Sequence, residues 1–160
     1  MTGEAFTACL RLDAEGEAAA SFYASIIKDS KLGRADRYTK AGPGPAGAVM
    51  AVDSELTGQK FVALNLGPQF TFNEAISFRI TCADQAEADY YWARLSQGGQ
   101  EVACGWLKDK YGLSWQVIPG ALIDMISDPD PGRAKRVTEA MPAMTKLDIV
   151  TLQKAYAEPT

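Results

Sequence analysis

The 160-residue chain contains no histidine. That absence excludes Ser-His-Asp and Cys-His catalysis and any general base of imidazole type. It also removes the commonest ligand for zinc, iron, nickel and copper, so a metal would have to rest on carboxylates and thiolates. Cysteine is scarce. Cys9, Cys82 and Cys104 are an odd number without CxxC spacing, which reads as reduced thiols rather than a disulfide frame. No apolar run is long enough to span a bilayer, and Met1 to Phe6 carries neither the basic nor the apolar region of a signal peptide. A cytoplasmic protein without a membrane partner is the expectation. An excess of positive charge is missing too: 16 basic residues face 20 acidic ones, for a net charge of −4. The basic residues are scattered, and the nearest to a cluster, Arg133, Lys135 and Arg136, reads as the solvated side of a helix. Nucleic acid is therefore not an expected partner.

The length suits one sizeable core. The most informative stretch within it is Cys104 to Pro119. Trp106 and Leu107 begin one strand, Lys108 to Gly112 turn the chain, and Leu113 to Ile118 return as a second strand. Gly112 gives the turn a positive φ at little steric cost. Leu113, Trp115 and Val117 share one face; Ser114, Gln116 and Ile118 share the other. Pro119 cannot donate to a ladder and should end the strand. Asp109 is placed to accept from the turn amides.

The rest of the chain reads in two passes. Phe6 to Leu12 alternates as a half-buried strand, and Asp13 is a plausible N-cap. Ala19, Phe22, Tyr23 and Ile26 form an apolar helical stripe. Gly33 ends that region, and Arg34 to Thr39 is a second strand. Ala41 to Gly47, with two prolines and three glycines, is a mobile surface connection, not a phosphate loop, because no strand-to-helix context follows it. Ala48 to Leu56 and Gln59 to Leu66 form a hairpin turning at Thr57-Gly58. The pass then repeats: a strand from Ala75 to Thr81, a capping box at Asp84 and Glu87, a helix with Ala88, Tyr91, Trp92 and Leu95 on its stripe, and three short strands. The two stripes match at a constant shift of 69, which predicts a duplicated βαβββ unit. After Pro119 the chain turns helical in three pieces: Ala121 to Ile126, Arg133 to Met141, and Ile149 to Tyr156 capped by Asp148. Ile149, Leu152, Ala155 and Tyr156 should face the core or a partner chain.

The string Trp106-Leu107-Lys108-Asp109, followed by Gly112-Leu113-Ser114-Trp115-Gln116-Val117-Ile118-Pro119, resembles the signature of the PhnB-like proteins. These are also called 3-demethylubiquinone-9 3-methyltransferase-like, within the glyoxalase/bleomycin resistance (vicinal oxygen chelate) superfamily. Phe22-Tyr23, Asn73 to Phe78, Asp84 to Asp89 and Met144 to Ile149 match as well. The resemblance implies an α+β fold of the glyoxalase/bleomycin-resistance type, as a single domain. Two βαβββ modules, residues 5–66 and 74–119, would form a curved, mostly antiparallel sheet of eight strands, followed by a helical segment over 120–160. It also implies a homodimer. In the metal-dependent relatives four inward residues bind the ion. By position these fall on Thr7, Asn65, Ser77 and Gln116, none of them charged, so no metal and no cofactor is expected. No glycine signature for S-adenosylmethionine accompanies the methyltransferase name.

Alternation places Phe6, Ala8, Leu10, Val62, Leu64, Leu66, Ile76, Phe78 and Ile80 on the face toward the helices. Thr7, Cys9, Asn65, Ser77, Arg79, Ser114 and Gln116 fall on the opposite face, with Phe61 and Ala63. A few polar groups among apolar ones suit a small-molecule pocket, for which Thr7, Cys9, Asn65, Ser77, Arg79 and Gln116 are the candidates. Arg79 suits a carboxylate or phosphate. Three readings stand: a protein that binds an unidentified small molecule, an enzyme using the same surface, and a non-catalytic homodimeric module.

Overall fold

The computed structural model describes residues 5–158. The chain comprises two compact units, Met1–Thr71 and Phe72–Thr160. The first holds β1 (Ala8–Leu12), α1 (Gly16–Ile26), β2 (Ser30–Arg37), β3 (Val49–Leu56) and β4 (Gln59–Asn65). Its sheet runs β1-β4-β3-β2, with β1 parallel to β4 and the other pairs antiparallel. The second holds β5 (Ser77–Cys82), α2 (Gln85–Ser96), β6 (Gln100–Glu101), β7 (Trp106–Lys108) and β8 (Ser114–Pro119). Its sheet runs β5-β8-β7-β6, again with the outer pair parallel. The common strand order bears out the duplicated βαβββ unit, and the fold is the expected α+β one, its eight strands divided between two four-stranded sheets. Three helices follow: α3 (Gly120–Ile126), α4 (Pro131–Ala140) and α5 (Ile149–Ala157). No helix among the described residues is long and apolar enough to cross a membrane.

In the first unit Ala19, Ala20, Tyr23 and Ile26 of α1 are buried with Leu10, Leu12, Val52, Leu56, Phe61 and Ala63 of the sheet. Burial of each large side chain in this layer contributes roughly 1.5–3 kcal/mol. The expected parity of β4 is corrected here. Parallel pairing sets Ala8 beside Phe61, Leu10 beside Ala63 and Leu12 beside Asn65. Side chains of paired residues point to the same side of a sheet. Phe61, Ala63 and Asn65 therefore lie toward α1, while Val62 and Leu64 lie on the open face with Cys9 and Arg11. Both faces of β4 are apolar, so its composition alone could not fix the parity.

Several boundaries also move, among them the start of α4 at Pro131 and the short β6 at Gln100–Glu101. β2 begins at Ser30, and Gly33 sits inside it instead of ending a helix: a Cβ there would come within 3.0 Å of the Asp53 Cβ on the neighbouring strand. Asp13 does not cap α1; the cap residue is Glu15, which makes no side-chain cap bond. The hairpin turn stands as expected, with positive φ at Thr57 and Gly58.

In the second unit Ala88, Tyr91, Trp92 and Leu95 are all buried. Asp84 accepts from the Glu87 amide at 2.8 Å, while Glu87 reaches back to the Ala83 amide at 3.2 Å. Asp109 is buried at 3% exposure and fully engaged. Its carboxylate accepts from the Tyr111 and Leu113 amides at 2.8 and 3.1 Å and from Trp115 Nε1 at 2.9 Å. The α3–α5 helices bury their apolar residues within this unit: Leu122, Met125, Val137, Leu147 and Leu152 cluster with Ile118. Asp148 caps α5 by accepting from the Thr151 amide at 2.7 Å.

Candidate functional site

Both sheets leave one face away from α1 or α2, and in the second unit that face is polar. Register sets Ser77 beside Ser114 and Arg79 beside Gln116, while Trp106 lies opposite Gln116 and Lys108 opposite Ser114. All six side chains therefore project from the same side. Phe78 and Trp115 project from the other, where their rings pack 5.7 Å apart. Further along β8, Ile118 is buried in the α3–α5 cluster, so the polar group occupies the end of the face before it.

The hydrogen bonding of this group is incomplete. Gln116 Nε2 donates to Ser77 Oγ at 2.8 Å. Lys108 pairs with Glu74 at the rim, and the Lys108 hydrogen bond and charge hold the Glu74 carboxyl below its usual range. Ser114 is 1% exposed, yet its hydroxyl has no partner. A buried polar group left unmatched costs about 1–3 kcal/mol. Arg79 is exposed and makes no ion pair or hydrogen bond among the described residues. Its neighbours on the face are a hydroxyl, a carboxamide and an indole. A guanidinium with free donors beside a hydroxyl and an amide suits an oxyanion, and Trp106 supplies an apolar wall.

The sequence candidates thus separate. Ser77, Arg79 and Gln116 come together as read. Thr7 and Cys9 are exposed on the first unit, where Thr7 shares a depression of about 250 Å³ with Lys31, Asp53, Glu55, Lys60 and Val62. Asn65 departs from the reading. It lies on the helix side, where Oδ1 accepts from the Gly16 amide at 2.7 Å and Nδ2 donates to the Val49 carbonyl at 3.0 Å. It supplies from a distant strand the acceptor that α1 lacks locally. The roles of Trp106 and Lys108 were missed, because only the strand register shows which residues flank Gln116. Of the cysteines, Cys82 is buried, Cys9 is exposed and Cys104 lies between; all three are free thiols.

The metal set of the superfamily does not fit these residues. Asn65 is committed to two backbone groups, and the Ser77 hydroxyl already accepts from Gln116. Among the described residues no three His, Cys, Asp or Glu side chains gather to hold an ion. Neutral hydroxyls and amides compensate little of a divalent ion's dehydration. A nucleotide-type methyl donor fares no better. The connections β1–α1 (Asp13–Glu15) and β5–α2 (Ala83–Asp84) contain no glycine, β8 runs into α3 with the single Gly120 and no loop, and the glycine-rich stretch joins two antiparallel strands.

The family model described as 3-demethylubiquinone-9 3-methyltransferase matches residues 4–118, so α3–α5 lie beyond the matched part. Among solved structures, the PhnB protein from Bacillus cereus is 32% identical with a TM-score of 0.67, covering 73% of this chain and 100% of its own. Protein PA1353 from Pseudomonas aeruginosa is 17% identical with a TM-score of 0.57, over 71% of this chain and 95% of its own. A glyoxalase/bleomycin resistance protein/dioxygenase from Alicyclobacillus acidocaldarius aligns at 16% identity and a TM-score of 0.44, over 72% of this chain and 91% of its own. No curated protein matches the chain.

Proposed function

From the premise that the chain belongs to the 3-demethylubiquinone-9 3-methyltransferase family, we propose that it binds a small anionic organic molecule on the polar face of its second sheet, without a tightly held metal. The observation that carries this reading is the pairing of a partnerless Arg79 with the buried, partnerless hydroxyl of Ser114 on one sheet face. A carboxylate or phosphate would take the guanidinium fork, with the Ser114 hydroxyl or the Gln116 amide completing its shell. An aromatic or aliphatic body would lie along Trp106.

Calorimetric titration with benzoate tests it. Arg79→Ala should weaken binding at least about tenfold, the scale of a lost hydrogen bond to a charged group. Equal binding by the wild type and this variant would remove the proposal. The family implies a homodimer, which sedimentation at several concentrations would detect, and a concentration-independent monomer mass would refute it. Three free thiols, one of them exposed, support a reducing, cytoplasmic setting.

A further inference from the structure

A second concavity belongs to neither the polar face nor the sheet surface around Thr7. It opens at the end of the first unit, between the start of α1, the β2–β3 connection and the chain leaving β4. Its volume is about 600 Å³, within the range of small-molecule pockets. Asp13 and Glu17 line one side, Pro43 and Pro45 another, with Tyr38 and Gly67 between them.

The walls are built rather than draped. The Tyr38 amide donates to the Ala48 carbonyl and the Gly47 amide returns to the Tyr38 carbonyl, both at 2.9 Å. Gly44 lies against the Tyr38 ring so closely that a Cβ would collide with it. The Tyr38 hydroxyl donates to the Asn65 carbonyl. The 41–47 stretch is therefore a pinned hairpin loop, where composition had suggested a mobile one.

The donors and acceptors of this cleft are unequal. Pro43 and Pro45 have no amide hydrogen. The amides of Leu66, Gly67 and Ala48 are spent on the carbonyls of Leu12, Asp13 and Pro45. The Gly16 amide is spent on Asn65, and the Ala14 amide on the Glu15 carboxylate. Tyr38 and the Asn65 side chain are satisfied internally. Arg11 is drawn to the Leu66 carbonyl and Gln69 Oε1, both at 2.8 Å, and stacks on Phe70, while Arg37 donates to the Gly47 carbonyl at 3.0 Å. What remains in the lining is the carboxylates of Asp13 and Glu17, with the Gln69 carboxamide NH2 and the first-turn Glu17 amide as donors. The carboxylates of Asp13 and Glu17 have no partner among the described residues. We infer that this cleft is a binding site for an amphipathic organic cation. Its ammonium group donates to Asp13 and Glu17, and its apolar body rests on the proline wall.

Amide NMR on the full chain tests this with benzylammonium as the probe and benzyl alcohol and benzoate as controls. Benzylammonium at millimolar concentration should shift the amides of Ala14, Gly44 and Gly67, and benzyl alcohol should not. The double variant D13N/E17Q, whose parent side chains make no hydrogen bond or ion pair among the described residues, should keep the fold and bind benzylammonium about tenfold more weakly. No shifts, shifts mapping elsewhere, equal binding of benzyl alcohol, or unchanged affinity in the double variant would each overturn the inference. Benzoate shifts at Ser77, Arg79 and Gln116 report on the other face and leave this test separate.

Discussion

Replacing Asn65 by alanine separates a structural role from a binding role at a position that the sequence alone offers as a pocket candidate. The side chain makes two backbone hydrogen bonds, from Gly16 at 2.7 Å and to Val49 at 3.0 Å. Alanine removes both. Each contributes about 0.5–1.5 kcal/mol net, and leaving the buried Gly16 amide unpaired adds part of a penalty of about 1–3 kcal/mol. Glu15 offers no replacement, since it makes no side-chain cap bond to the helix. The sum is roughly 2–4 kcal/mol, a large share of the 5–15 kcal/mol typical of a domain. Urea unfolding followed by circular dichroism would read it as a lower midpoint with unchanged slope. Benzoate binding to the folded variant should match the wild type. A loss under about 1 kcal/mol, or abolished binding in a stable variant, would refute the assignment of Asn65 to the helix cap.

Other predictions follow from the same bookkeeping. Asp109→Ala orphans the Leu113 amide and Trp115 Nε1 in the interior and should cost about 3–5 kcal/mol in urea unfolding, with Asp109→Asn in between, because one oxygen can still serve the turn. A cost near zero would mean that the turn does not depend on this carboxylate. The carboxyls of Asp148, Asp89 and Asp128 lie below their usual range. Bonds from the Thr151 amide and hydroxyl lower the first, bonds from Lys146 and Gln85 the second, and the Tyr156 hydroxyl the third. A depressed folded-state pKa gives stability that is present above the unfolded value and lost as pH falls through the folded one. The second unit should therefore weaken below about pH 4. A urea midpoint that stays flat or rises between neutral and acidic pH would contradict this.

Much of the architecture was legible because the sequence repeats its own logic. Ala19, Tyr23 and Ile26 of the first stripe and all of Ala88, Tyr91, Trp92 and Leu95 are buried as their spacing requires, while Phe22 of the first stripe is only half-buried, and Asp84 and Asp148 cap the helices they precede. Parity failed at β4, where Phe61 to Leu66 is apolar on both sides and only parallel pairing with β1 decides which side meets the helix. Four of the six side chains on this face were legible for the converse reason: in β5 and β8, polar Ser77, Arg79, Ser114 and Gln116 alternate with Phe78, Ile80, Trp115 and Val117. Trp106 and Lys108 were not, since a three-residue strand carries too little periodicity to show its faces. The cleft near Tyr38 depends on contacts between segments distant in sequence, and composition mistook its proline-glycine wall for slack.

The central claim is that the polar face of the second sheet holds a small anion through Arg79. An amide NMR titration with benzoate tests it most directly. Shifts centred on Ser77, Arg79, Trp106, Ser114 and Gln116, lost in Arg79→Ala while the rest of the spectrum is kept, are the predicted result. Shifts elsewhere, or an unchanged titration in the variant, would contradict the account.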